Sequence, residues 1–174
     1  MKIELEKAQN MLEWLKTKLF LDSIAEKAKN RIVHRGEVYE CNFGIGIGSE
    51  MQKDRPCVII QGNVGNINSS NVIVAPITHT NKPLPCMAKI IPQSNNQGII
   101  LDGFTNLSNV QTVSKARLGN YITRLSKKDI KEIDNALYVS IGLIKNIKNY
   151  EKRIENLEKY IEKLKNNTEN KENL

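Results

Sequence analysis

The sequence predicts a mainly β chain with helices, of the α+β class: a small antiparallel barrel or sandwich bracketed by helical segments. Three observations carry this. All but one of the ten glycines, and all five prolines, fall between residues 31 and 120. β-branched runs recur between those breakers, and short strands punctuated by Gly and Asn are how small antiparallel barrels and sandwiches read. On either side of this region, apolar residues recur at spacings of three and four, the helical period.

Residues 1–30 contain no Gly or Pro, and Leu5, Ala8, Leu12, Leu15 and Leu19 form a heptad seam. The candidate strands that follow are VHRGEVYECNF, RPCVIIQG, NVIVAPIT, MAKIIPQ and SNVQTVSKARL. From residue 121 the chain reads as helix again. Ser126 is the expected N-cap, with Asp129 three residues on in capping-box position. Beyond it, Leu143, Ile147, Tyr150, Ile154, Leu157, Ile161 and Leu164 alternate spacings of four and three, a coiled-coil signature. The terminal NNTENKENL is expected to fray. The expected organisation is therefore an N-terminal helical extension (1–30), a barrel domain (31–143), and a C-terminal coiled-coil helix with a frayed tail (144–174).

A chain of 174 residues is long enough for one domain with a real core, here with appendages. Its net charge of +7 favours an anionic partner: nucleic acid, an acidic protein or a membrane surface. Four of the six arginines, Arg31, Arg35, Arg55 and Arg117, lie in the β region, where a specifically bound anion is expected. No run of 18 apolar residues exists to span a membrane, and acids in MKIELEKAQN replace the apolar core of a signal peptide. Cys41, Cys57 and Cys86 are odd in number and never CxxC, which points to buried thiols in a cytoplasmic protein.

The common catalytic signatures are absent: no GxSxG, HExxH or P-loop. GIGIG at 44–48 lacks the following helix and third spaced glycine of a nucleotide loop. His34 and His79 are the only histidines, so a two-histidine ribonuclease mechanism requires that pair to meet. No metal site is expected, and no cofactor. Polar residues at strand ends remain: Arg35-Gly36 at the first strand, GSE at 48–50 ahead of Arg55-Pro56, Thr78 closing NVIVAPIT, and Lys115 with Arg117. Cleavage of an RNA phosphodiester by its own 2′-hydroxyl needs such groups. Negative charge builds on the non-bridging oxygens, and fixed donors aimed at them are the largest source of catalysis without a metal. Arginine offers a planar fork that matches phosphate, and threonine a short hydroxyl.

In this order and spacing, RGEVYECNF, GSEMQKDRPCVIIQ, NVIVAPITHT and LSNVQTVSKARL resemble the MazF/PemK toxins of toxin–antitoxin systems, over roughly residues 33–143. The resemblance implies an SH3-like small antiparallel β-barrel with a C-terminal helix, acting as a homodimer. It implies a sequence-specific, metal-independent endoribonuclease that leaves a 2′,3′-cyclic phosphate and a 5′-hydroxyl on mRNA, and an acidic antitoxin as partner. Arg55 and Thr78 match the catalytic positions. Ser49 and Glu50 fall in a loop that flanks RNA, so GSE reads as a mobile gate and Pro56 as a brace for Arg55. Gln111, Lys115, Arg117 and His79 join them as candidate RNA contacts.

Two departures matter. The family's arginine before a threonine near the last strand is Gln111-Thr112 here, which removes one cation. The base is also open among Glu50, His79 and water, because a guanidinium is not deprotonated in a protein. Two other readings stand beside the nuclease: a gyrase-poisoning toxin on the same barrel, like CcdB, and a non-catalytic RNA-binding relative. The first relies on a C-terminal Trp, whereas the one Trp here is Trp14. The terminal helices are expected to pair with each other, within a subunit or across a dimer. The alternative is that the C-terminal helix recruits another protein or builds a larger oligomer.

Overall fold

The computed structural model of the protein describes residues 4–172. Helix α1 (Leu5–Ala28) is followed by β1 (Glu37–Asn42), β2 (Asp54–Ile59), the short α2 (Asn63–Asn68) and β3 (Asn71–Thr78). Four short strands come next: β4 (Met87–Lys89), β5 (Gln93–Asn95), β6 (Gly98–Leu101) and β7 (Phe104–Asn106). The chain closes with β8 (Gln111–Ser114), β9 (Leu118–Arg124), α3 (Lys127–Ser140) and α4 (Ile144–Glu172). All ladders are antiparallel, in the order β4-β7-β3-β2-β1-β9. Strand β3 is the hub. Its first half also pairs with β8, through Val72↔Val113, and its last two residues pair with β7, through Thr78↔Phe104. Strands β5 and β6 form a separate hairpin. The expected α+β class, an antiparallel sheet with C-terminal helices, is the one found.

Successive side chains of a strand point to opposite faces, and here both faces are buried. Val38, Val58, Ala75 and Ile77 join Leu107, Leu125, Ile133 and Ala136 in one core, which α3 covers. Tyr39, Cys41, Cys57, Ile59, Val72, Val74, Val113 and Leu118 form the other. This is why these strands read as apolar runs rather than as an alternation. Helix α3 starts as its sequence requires. Ser126 Oγ accepts from the Asp129 N–H at 3.1 Å, and Asp129 Oδ2 accepts from the Ser126 N–H at 3.1 Å. The other Asp129 oxygen takes the Ile91 N–H, so a buried carboxylate is fully hydrogen-bonded. Gly142, at φ 76°, ends α3 in a Schellman turn, with the Leu143 N–H donating to the Tyr138 carbonyl.

The structure departs from expectation in several places. Residues 121–124, expected to begin a helix, instead complete a strand, β9 (Leu118–Arg124). LGNYITR opens with turn-type Gly and Asn, and its partner β1 lies some 80 residues away in the chain. Strands β5, β6 and β7 and helix α2 are additions. In α1, Trp14, Leu21, Ile24 and Ala28 are the partly buried stripe, while Leu5, Leu12, Leu15 and Leu19 of the expected seam are exposed. At 3.6 residues per turn the two stripes lie on opposite sides of the helix. Helix α1 rests on the short 3-10 turn Lys115–Arg117, α4 meets α3 where it begins, and among the described residues α1 and α4 form no substantial interface with each other. Helix α4 runs to Glu172 and so takes in most of NNTENKENL, whose last two residues lie outside the described ones.

Candidate active site

Strands β2 and β3 put Arg55 and Thr78 together. Cys57 faces Pro76 in the antiparallel register, so two residues further out Arg55 stands across from Thr78. Both line a cavity of about 360 Å³, with Lys53, Pro56, His79, Ile99, Ile100 and Asp102 among its other walls. The loop ahead of β2 is pinned at its base. The Phe43 N–H donates to the Lys53 carbonyl and the Lys53 N–H to the Gly44 carbonyl, at 3.1 and 2.7 Å. Lys53 sits at φ 67°, the one non-glycine in the left-handed region among the described residues. Such a conformation persists only where neighbours enforce it. Arg55 follows two residues later, and its Nε donates to the Gln52 carbonyl at 2.9 Å. Among the described residues no carboxylate lies within ion-pairing distance of Arg55. The guanidinium is anchored at Nε, and its terminal nitrogens are left without a fixed anion.

Thr78 is the last residue of β3, and its Oγ1 makes one long contact, 3.5 Å to the His79 carbonyl. The turn Asp102-Gly103 lies against it. Gly103 has φ 102°, and a Cβ there would fall 2.7 Å from the Thr78 carbonyl oxygen, so only glycine fits. That close approach delivers Asp102, whose Oδ1 is 2.6 Å from His79 Nε2. In a neutral ring this contact requires the proton on Nε2, directed at the Asp102 carboxylate, which leaves the lone pair on Nδ1. Asp102, Gly103 and the β6 residues Ile99 and Ile100 escaped the sequence reading. The Asp-Gly turn dipeptide was the signal that could have found them.

The remaining sequence-predicted residues are placed as follows. Ser49 and Glu50 are exposed at the tip of the β1–β2 loop, and Glu50 Oε2 accepts from the Ile47 N–H at 2.9 Å. Neither lines the Arg55–Thr78 cavity. Gln111 pairs with Val74 near the middle of β3, away from the Thr78 end. Lys115 is buried, and its ammonium donates to the carbonyls of Asn66 at 2.7 Å and Lys29 at 3.2 Å. Burial lowers its pKa, and its role here is to tie α1 and α2 to the sheet rather than to reach a ligand. Arg117 donates to the Asn42 carbonyl at 3.0 Å and lies 5.2 Å from the Trp14 ring centre. It lines a larger hollow of about 930 Å³ between α1 and the sheet, which also reaches Arg55 and is walled by Phe20, Leu21 and Tyr121. His34 is tied to Glu37 and does not line the Arg55–Thr78 cavity, so the two histidines do not meet there. Among the described residues no three His, Cys, Asp or Glu side chains group as a metal would require, and no helix is long and apolar enough to cross a membrane.

Residues 34–141, the stretch that carries this cavity, match the sequence model of the PemK-like, MazF-like toxins of type II toxin–antitoxin systems. The chain belongs to that family. Similar proteins include the endoribonuclease MazF of Staphylococcus saprophyticus, 35% identical over 112 residues, or 64% of this chain and 93% of the relative. The endoribonuclease EndoA of Bacillus subtilis is 33% identical over 113 residues, covering 65% and 97%. Among solved structures, a mycobacterial endoribonuclease in complex with its cognate antitoxin has a TM-score of 0.54 at 27% identity, over 64% of this chain and 96% of that one. MazF from Deinococcus radiodurans, at 15% identity with a TM-score of 0.56 over 64% and 98%, shows the shared fold. The family match ends at residue 141, so both α1 and α4 lie outside it.

Proposed function

We propose that this MazF-family chain is a toxin endoribonuclease that cleaves mRNA in the cytoplasm without a metal, works as a homodimer, and is silenced by an acidic antitoxin. The observation that carries this is the shared cavity: Arg55 with its terminal nitrogens unpaired, Thr78 across the ladder, and the His79–Asp102 pair beside them. A scissile phosphate seated there meets the Arg55 fork and the Thr78 hydroxyl. Both donate to non-bridging oxygens, whose charge grows as the 2′-oxygen attacks phosphorus. His79 Nδ1 takes the proton of the 2′-hydroxyl. The O2′–P bond forms, the P–O5′ bond breaks, and the departing oxygen gains a proton from water, whose hydroxide takes up the proton held on His79. The products are a 2′,3′-cyclic phosphate and a 5′-hydroxyl. Glu50 is turned into its own loop, which leaves His79 as the protein base. Ser49, Glu50 and Arg117 serve the flanking nucleotides, with the larger hollow under α1 as the continuation of the groove. The +7 charge of the chain suits both RNA and an acidic partner that occludes it.

The test is cleavage of a long defined RNA by purified protein in EDTA, with Arg55→Ala prepared identically and the fragment ends mapped chemically. Discrete cuts bearing 2′,3′-cyclic phosphates, lost in the variant, are the expected result. Intact RNA across varied sequences, or cuts that persist in Arg55→Ala, would overturn the proposal.

A further inference from the structure

The seam of α4 is continuous and specific in its chemistry. In heptad letters, Ile147, Ile154 and Ile161 occupy a, while Leu143, Tyr150 and Leu157 occupy d. Where α4 starts, Ile147 is partly covered beside α3. From Tyr150 to Ile161 the seam residues are half or more exposed, although an apolar stripe of this length is costly to leave in water. The outer face is chemically different: Lys159 pairs there with Glu155 at 2.6 Å. Isoleucine at a with leucine at d is the pattern that favours two parallel strands.

The flanks agree. Arg153 falls at g and Glu158 at e, and among the described residues neither has an ion pair within the chain. In a parallel pair a g residue faces the e residue five positions on in the partner, so Arg153 of each copy meets Glu158 of the other. An antiparallel pair instead sets e against e, which places Glu151 and Glu158 among like charges. The outward seam of α1 is a poorer occupant. Lys16 and Lys18 flank it on both sides, so a parallel register that sets Arg153 beside Lys16, or an antiparallel one that sets it beside Lys18, brings like charges together. We propose that α4 is a parallel two-stranded coiled coil with α4 of a second copy of this chain, in register, its two-fold axis running along the helices. The proposal does not depend on nuclease activity. So short a zipper is weak alone, and it acts by raising the local concentration of two barrels that also meet elsewhere.

Cysteine cross-linking of the full chain tests it. Cys41 and Cys57 are buried and Cys86 is replaced by serine. In that background Leu157→Cys places two thiols at facing d positions, and Lys152→Cys places them on the outer face as the control. Mild oxidation should link Leu157→Cys chains into dimers about tenfold faster than Lys152→Cys chains. Adding Arg153→Glu should slow the linking at low salt, and combining Arg153→Glu with Glu158→Arg should restore it. Equal rates for the two cysteines would overturn the proposal. So would linking indifferent to Arg153→Glu, or Leu157→Cys that links to a Leu12→Cys chain and not to itself. RNA cleavage by the same proteins is scored separately, so loss of the zipper and loss of the active site are told apart.

Discussion

The ring of Trp14 lies on the backbone of Gly44, so close that a Cβ there would fall 2.3 Å from Cζ2. The same ring faces the Arg117 guanidinium, which holds the Asn42 carbonyl. Helix α1 thus clamps the base of the β1–β2 loop, whose other end delivers Arg55. Trp14→Ala should cost about 1–3 kcal/mol, from lost packing and the cation–π contact. It should also speed proteolysis within residues 44–53. Gly44→Ala should do the same by another route, because φ is 78° there and the added Cβ would drive into the Trp14 ring. Denaturant melts and timed protease digests with mass mapping check both. Unchanged cleavage in this loop would mean that α1 is not its clamp.

The catalytic assignment predicts a particular pattern of losses. Arg55→Ala should lower the cleavage rate by about 10²–10³ or more, as for one lost oxyanion donor. Arg55→Lys should recover little of it, since a point charge does not reproduce the fork. Thr78→Val keeps shape and strand propensity and should lose rate with little change in RNA affinity. Single-turnover rates beside filter-binding affinities separate these effects. A Thr78→Val protein at full rate would remove its hydroxyl from the chemistry.

On the proposed mechanism His79 is the base and Asp102 its positioning partner, so the two should fail differently. His79→Gln removes the base and should cost about 10²–10⁴ in rate. Asp102→Asn keeps the histidine but loses the carboxylate that fixes its tautomer, and should cost less. If Asp102 only positions the ring, adding Asp102→Asn to His79→Gln should change the rate no further. Independent, multiplying losses would show that Asp102 acts on RNA directly.

What the sequence disclosed and what it hid have physical reasons. The start of α3 was legible because its cap is local, Ser126 and Asp129 being three residues apart. Arg55 and Thr78 were legible as polar residues at the ends of apolar runs, where a strand leaves the core. The His79–Asp102 pair was not, because it depends on the β3–β7 ladder and on Gly103 packing against a carbonyl. Lys115 was misjudged for a similar reason. Nothing near it in sequence shows that an ammonium will be buried against the carbonyls of Lys29 and Asn66. In α1 two apolar stripes share the same spacing, and only the fold decides which one packs.

The opening of β1 predicts a pH dependence of stability. Burial pushes the Glu37 carboxyl up, but hydrogen bonds from the His34 backbone N–H and the Tyr39 hydroxyl, with the His34 ring, outweigh it, and its pKa is lowered. Burial and the same carboxylate push the Tyr39 hydroxyl up to about 12, so it remains a donor at neutral pH. A carboxyl with a depressed pKa contributes stability that is fully present above its unfolded value, near 4.5. That contribution is lost as pH falls through the lower value it has in the fold. Glu37→Gln, which can still accept both hydrogen bonds, should therefore destabilise the protein at pH 7 and approach the parent's stability below pH ~3. Urea unfolding across that range measures the difference directly. A gap between the two proteins that stays constant from pH 7 to pH ~3 would show that the ionised carboxylate contributes nothing to holding β1 in place.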